Sequence, residues 1–260
     1  MITVTTCTTF CPNFAGINNN NMSDSFESKK VIIAGGSSGI GLATAAKLAG
    51  EKAHVTVTGR SAARLADAAK AVPGIHTAAL DSGNRKDLDA FFDARGNFDH
   101  LVIAVSGSKG AGKFADLSLK ELRDGFEGKF WAQVNTLQAA LPYVNKGGSI
   151  TLITAISAIS RAPGVSGLAA INGALELMIP SLAKEIQPLR INAVSPGVVN
   201  TPWWDFLPPD AKNDTFGQYA AQLPVGRIGE PDDVADTILF LMRNGNITGT
   251  VIRCDGGLSL

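Results

Sequence analysis

A chain of 260 residues, 45% of them hydrophobic, is long enough for one sizeable core, whereas two would each be small. Its 23 basic residues balance its 23 acidic ones and no basic stripe interleaved with aromatics occurs, so nothing in the charge favours nucleic acid, and a small-molecule partner is expected. Three cysteines, Cys7, Cys11 and Cys254, are too few for a disulfide framework, no further His or Cys stands near the first two to complete a metal site, and a cytoplasmic protein is expected.

The Thr- and Asn-rich residues 1–28 cannot bury enough surface to offset the entropy of ordering, and they lack the basic and apolar blocks of a signal peptide. They read as a flexible tail, with Met22 as an alternative start. Residues 29–260 read as one domain, in which no run is expected to cross a membrane.

From Lys30 onward, short β-branched runs (VIIA, HVTVTG, HTAA, HLVIAV, SITLIT, RINAVS, TVIRC) alternate with helix-length segments. Helices are predicted at 39–50, 62–71, 85–94, 119–143, 165–186 and 231–242. The alternation, with strands apolar on both faces, predicts an α/β fold built on a parallel sheet. Pro180, inside a predicted helix, lacks an N–H and carries a ring clash costing ~3 kcal/mol, so a kink or local opening is expected there. His54, His76 and His100 start predicted strands and read as packing residues.

Two long connections interrupt this rhythm. VSGSKGAGKFADLS follows the fourth run, and a proline-punctuated stretch at 198–228 follows the sixth. Both leave strand C-termini, the edge where open α/β sheets bind ligands. The second reads as a substrate lid, with Trp203 and Trp204 either closing over an apolar ligand or packing on the lid's own helices.

Between the first strand and first helix lies Gly35-Gly36-Ser37-Ser38-Gly39-Ile40-Gly41. Glycines there let the backbone approach a pyrophosphate, whose charge meets the free N–H groups of the helix start. At the end of the second strand, where NAD-preferring sites place an acid, stand Gly59, Arg60 and Ser61. A guanidinium there suits a 2′-phosphate, so NADP(H) is the expected cofactor. Asp81 is an acceptor for the adenine amino group, with Ser82 beside it.

Residues 30–260 resemble the short-chain dehydrogenase/reductase family. The resemblance rests on GGSSGIG, QAALP (138–142), INAVSPGVVNTP (191–202), RIGEPDDVA (227–235) and ITGTVIRCDGG (247–257), in that order. It implies a single-domain Rossmann-type, doubly wound, three-layer α/β/α fold of about seven strands. It also implies a homo-oligomer, dimer or tetramer, with a subunit interface at the C-terminal strand. Pro196, Gly197, Val199 and Thr201 are implied to lie beside the nicotinamide half of the cofactor. Ser106 and Gly107 stand where the family shows an Asn-Asn-Ala-Gly turn, which leaves the support of that strand end in doubt.

The family's proton relay is missing. Counting inward from the flanking motifs, Leu168 takes the tyrosine position, Asn172 the lysine position and Ala155 the serine position. The chain's two tyrosines, Tyr143 and Tyr219, are not followed by a lysine at the right spacing. The position of the family's relay asparagine holds Lys129, an exchange that keeps one ammonium and one amide near the nicotinamide. Burial would lower a lysine toward the range useful for acid–base work, whereas a snorkelling or exposed helix lysine would do nothing. Thr154, Ser157 and Ser106 are the hydroxyls placed to replace the serine. Three readings follow: an NADP(H)-dependent oxidoreductase acting on a small carbonyl or imine with a non-standard site; a non-redox isomerase, cyclase or dehydratase; and a non-catalytic NADP(H)-binding protein.

Overall fold

A computed structural model describes residues 25–260. The expected tail up to residue 24, Met22, Cys7 and Cys11 lie outside the described residues. The last part of that tail belongs instead to the packed domain. Phe26 is buried, edge-on to His100 (5.8 Å between ring centroids), with the Arg243 guanidinium 4.8 Å from its ring centre.

The strands are β1 (Lys30–Ala34), β2 (His54–Gly59), β3 (His76–Ala79), β4 (Phe98–Ile103), β5 (Val144–Ile153), β6 (Arg190–Pro196) and β7 (Val251–Cys254). They form one seven-stranded sheet in the order β3-β2-β1-β4-β5-β6-β7, with every pairing parallel. The helices are α1 (Gly39–Gly50), α2 (Ala62–Ala71), α3 (Arg85–Arg95), α4 (Leu119–Gly125), α5 (Ala132–Ala140), α6 (Ser166–Glu185), α7 (Pro209–Gln222) and α8 (Pro231–Arg243).

The period of two along β1 explains the layers. Val31 and Ile33 point into a core with Ala45 and Leu48 of α1, Leu65 of α2, and Val234 and Ile238 of α8. Ile32 and Ala34 point into the opposite core, with Leu88 and Phe92 of α3, Leu137 of α5, and Leu175 and Ile179 of α6. Covered on both faces, the strands have no polar side to show, which is why they read as continuous apolar runs. The chain leaves β1 toward β2 on one side and later returns to place β4 on the other. The C-terminal ends of β1 and β4 therefore flank a switch point, where a crevice opens.

Three details differ from the sequence reading. The helix predicted over 119–143 is broken into α4, a π-helical stretch at Phe126–Trp131, α5 and a 3-10 turn at Leu141–Tyr143. The lid contains a helix of its own, α7, for which the sequence reading gave no bounds. Helix α6 runs unbroken through Pro180, which is exposed, so the expected opening is absent.

By length and composition alone α6 is long and apolar enough to cross a membrane. Its apolar stripe of Ile171, Leu175 and Ile179 is nevertheless buried in the protein core.

Candidate active site

The glycine turn passes from β1 to α1 at the switch point. Gly35 has φ +80, and a Cβ there would lie 2.7 Å from the Ala104 carbonyl carbon behind β4. A Cβ on Gly41 would come within 2.6 Å of the Gly35 carbonyl oxygen, so only glycine lets α1 start this close to the turn. The Ser38 side chain makes no cap bond to α1, which leaves first-turn N–H groups for a ligand. A narrow backbone cradle ending in uncapped amides fits a dinucleotide pyrophosphate.

Gly35, Ser37, Ser38, Gly39, Ile40 and Gly41 all line one cleft of about 2220 Å³. Arg60, Ser61, Asp81 and Ser82 line its β2–β3 end, and Ser106 and Gly107 its middle. Pro196, Gly197, Val199 and Thr201 line the stretch below the lid. Two of these groups are partly committed: Ser61 Oγ accepts from the Arg64 N–H as the N-cap of α2, and Asp81 Oδ1 accepts from the Gly83 N–H. Arg64 also lines the cleft, a second guanidinium that the sequence reading passed over although it follows Arg60 by one helical turn.

Lys129 lies in the π-helical stretch and is buried, so the exposed alternative does not apply. Its Nζ donates to the Thr154 carbonyl at 3.0 Å, at the end of β5. Burial pushes the ammonium down from 10.5 to about 8, with the Glu176 carboxylate pulling the other way. One turn later, the buried Gln133 uses its Nε2 to bond the carbonyls of Val105 (2.8 Å) and Ile153 (2.9 Å). Gln133 thereby ties the ends of β4 and β5 together and supplies the strand-end support that the altered turn had put in doubt.

Asn172 is buried on α6; its Nδ2 donates to Ser157 Oγ and to the Leu168 carbonyl, both at 3.0 Å. Its Oδ1 is buried and has no hydrogen-bond partner among the described residues. Such an acceptor is costly unless a ligand donor reaches it. Leu168 and Ala155 also line the cleft.

The Thr154 hydroxyl is turned away from this space, donating to Glu176 Oε1 at 2.7 Å, and Ser195 Oγ donates to the same oxygen at 2.8 Å. Glu176 was missed from the sequence. The signal available was spacing, because Leu168, Asn172 and Glu176 follow one another at four-residue steps and so share a helix face.

Over the cleft, Trp203, Trp204, Phe206, Phe216 and Tyr219 form one aromatic cluster. Trp203, Trp204, Phe206 and Tyr219 also line the cleft.

Sheet, glycine turn and cleft define a Rossmann-type dinucleotide-binding protein. A profile of the family described as enoyl-(acyl carrier protein) reductase matches residues 34–259. The chain is 30% identical over 249 residues to the short-chain dehydrogenase/reductase ATR9 of Stachybotrys chlorohalonatus, covering 89% of this chain and 97% of that one. Among solved structures, a small-chain dehydrogenase in complex with NADPH matches with a TM-score of 0.78 and 33% identity, over 89% of this chain and 98% of its own. The MalC reductase/Diels-Alderase of Malbranchea aurantiaca matches with a TM-score of 0.82 and 27% identity, over 91% and 98%. The chain belongs to the short-chain dehydrogenase/reductase family of oxidoreductases.

Proposed function

We propose that the protein is an NADP(H)-dependent oxidoreductase acting on a small carbonyl or imine, with Lys129 as the proton donor in place of the missing tyrosine. The observation that carries this reading is the Lys129 ammonium, buried at the wall of the cleft and held near neutral range. The dinucleotide, when bound, supplies the hydride. The chain's own work is to place and protonate the substrate. Lys129 Nζ releases a proton to the substrate oxygen or nitrogen, and Asn172 Oδ1 accepts from a ribose hydroxyl. The lid tryptophans exclude water, and Arg60 with Arg64 meets the 2′-phosphate.

Incubation with NADPH and a panel of carbonyl and imine substrates tests this. Oxidation of NADPH with a reduced product is expected; binding without any oxidation across the panel would overturn it. The relative named as a reductase/Diels-Alderase, together with the loss of a phenol at Leu168, favours the non-redox reading as the second choice. Product formed without net NADPH consumption would select that reading, and binding with no product at all the non-catalytic one. We infer a cytoplasmic protein from its sparse cysteines, and a homo-oligomer, dimer or tetramer, because β7 leaves an open sheet edge among the described residues and Leu119, Trp131 and Leu177 are exposed.

A further inference from the structure

We propose that Glu176 is a positioning residue for Lys129: from behind the cleft its carboxylate provides the counter-charge that keeps the ammonium protonated and seated on the end of β5. The catalytic meaning of this rests on the reading of Lys129 as proton donor; the charge coupling itself does not.

The geometry centres on Thr154. Its backbone carbonyl accepts from Lys129 Nζ (3.0 Å), and its hydroxyl donates to Glu176 Oε1 (2.7 Å). One residue thus separates the lysine from the carboxylate, and the two charges approach the β5 end from neighbouring helices on the same face of the sheet. Ser195 on β6 donates to the same Oε1 at 2.8 Å, so two hydroxyls pin it. A third contact is weaker: Thr154 Oγ1 lies 3.3 Å from the Val194 carbonyl. A hydroxyl has a single proton to give, and the shorter partner, Glu176, takes it.

Among the described residues Lys129 has little else to neutralise it. On its own segment Glu127 is exposed to solvent, and on α4 Asp124 is paired with both Lys109 and Lys120. Helix α5 carries no charged side chain, and neither does the end of β5. From the loop after β4, Lys109 adds a like charge already bound to Asp124. On α6, Glu176 is the ionisable group whose field opposes the desolvation of Lys129. A buried ammonium without such a partner gives up its proton or leaves its seat.

The arrangement also explains why Thr154 and Ser195 do not serve the substrate. Both hydroxyls are spent orienting Glu176, which sits on the core side of the strand ends and is absent from the cleft lining. Glu176 acts through Lys129 and does not touch the substrate.

The experiment is an NMR titration of the full chain with isotopically labelled lysine side chains, from about pH 6 to about pH 10. The Lys129 signal is assigned by its loss in Lys129→Arg. Its midpoint is expected near 8 in the unaltered protein. Glu176→Gln should move it down by about one pH unit or more. Glu176→Asp, which keeps the charge but withdraws it by one methylene, should move it less. A midpoint that stays in place in Glu176→Gln overturns the proposal. If that variant does not fold, an unmoved midpoint in Glu176→Asp does so.

A purely structural role would lower the melting temperature and leave the midpoint alone. The titration reads the lysine and not turnover, so a chain that never oxidises NADPH but shows the shift would overturn the reductase reading only.

Discussion

The indole N–H of Trp203 donates to the carbonyl of Gly107 at 3.1 Å, joining the lid to the loop after β4 across the mouth of the cleft. The bond fastens one edge of the lid to the wall of the site, while the aromatic cluster with Trp204, Phe206, Phe216 and Tyr219 stiffens the rest. Trp203→Phe keeps an aromatic ring and removes the donor. A hydrogen bond of this kind is worth about 0.5–1.5 kcal/mol, so amide exchange along α7 should quicken by about 2- to 10-fold. Unchanged exchange would show that the lid is held by its aromatic cluster alone.

Arg60 is exposed at the β2 end of the cleft with Arg64 one turn further on. Charge-assisted hydrogen bonds contribute roughly 1.5–3 kcal/mol, so Arg60→Ala should weaken NADPH binding by about 10- to 100-fold and leave NADH binding unaltered. Calorimetry with both dinucleotides checks this. Equal losses for the two would mean that the guanidinium does not read the 2′-phosphate.

As the proposed proton donor, Lys129 would work only while protonated. With its ammonium lowered from 10.5 to about 8, turnover should hold on the acid side of that value and decline as pH rises through it. Lys129→Met should reduce turnover by roughly 10²- to 10⁴-fold and abolish this basic limb. NADPH affinity should change by less than about twofold, since uniform binding is not what the lysine supplies. Activity that survives the substitution with its pH profile intact would place the donor elsewhere.

Much of this architecture could be read in the sequence for one physical reason: parallel strands buried on both faces must be apolar throughout, so VIIA, SITLIT and RINAVS declared themselves. The glycine turn was equally legible, because Gly35 and Gly41 stand where any Cβ would strike backbone. Helix periodicity fixed α6 almost to the residue, and Leu175 and Ile179 are the buried side it implied. Its proline proved a poor guide: Pro180 lies on the exposed face, where the solvent side of the helix accommodates the ring. The π-helical stretch from Phe126 to Trp131 has no sequence period of its own, so FEGKFW passed for ordinary helix. Glu176 was obscured by its neighbours, since an acid between Leu175 and Leu177 reads as solvated. In the fold Leu177 is 81% exposed, and it is the glutamate that turns inward. Helix α7 has no continuous apolar stripe and no fully buried residue, which left its bounds within the lid unreadable.

The buried His100 tests the sheet's own electrostatics, away from the cleft. Its Nδ1 lies 2.8 Å from Ser149 Oγ, and burial lowers the imidazole from 6.5 to about 4, with Asp99 opposing and Arg190 and Lys29 adding to the fall. The native state therefore resists the proton that the unfolded chain accepts, and between those two values unfolding takes up a proton. The stability this gives is complete above about pH 6.5 and is lost as pH falls toward about 4, by roughly 3 kcal/mol in all. Carboxylates titrate in the lower part of the same window, so the comparison must be with His100→Asn, which keeps a polar partner for Ser149 and has nothing to protonate. Chemical denaturation at a series of pH values should show a shallower decline between pH 6.5 and 4 in the variant than in the parent. Identical slopes would mean that the imidazole gains its proton without unfolding, and that the Ser149 contact yields to admit it.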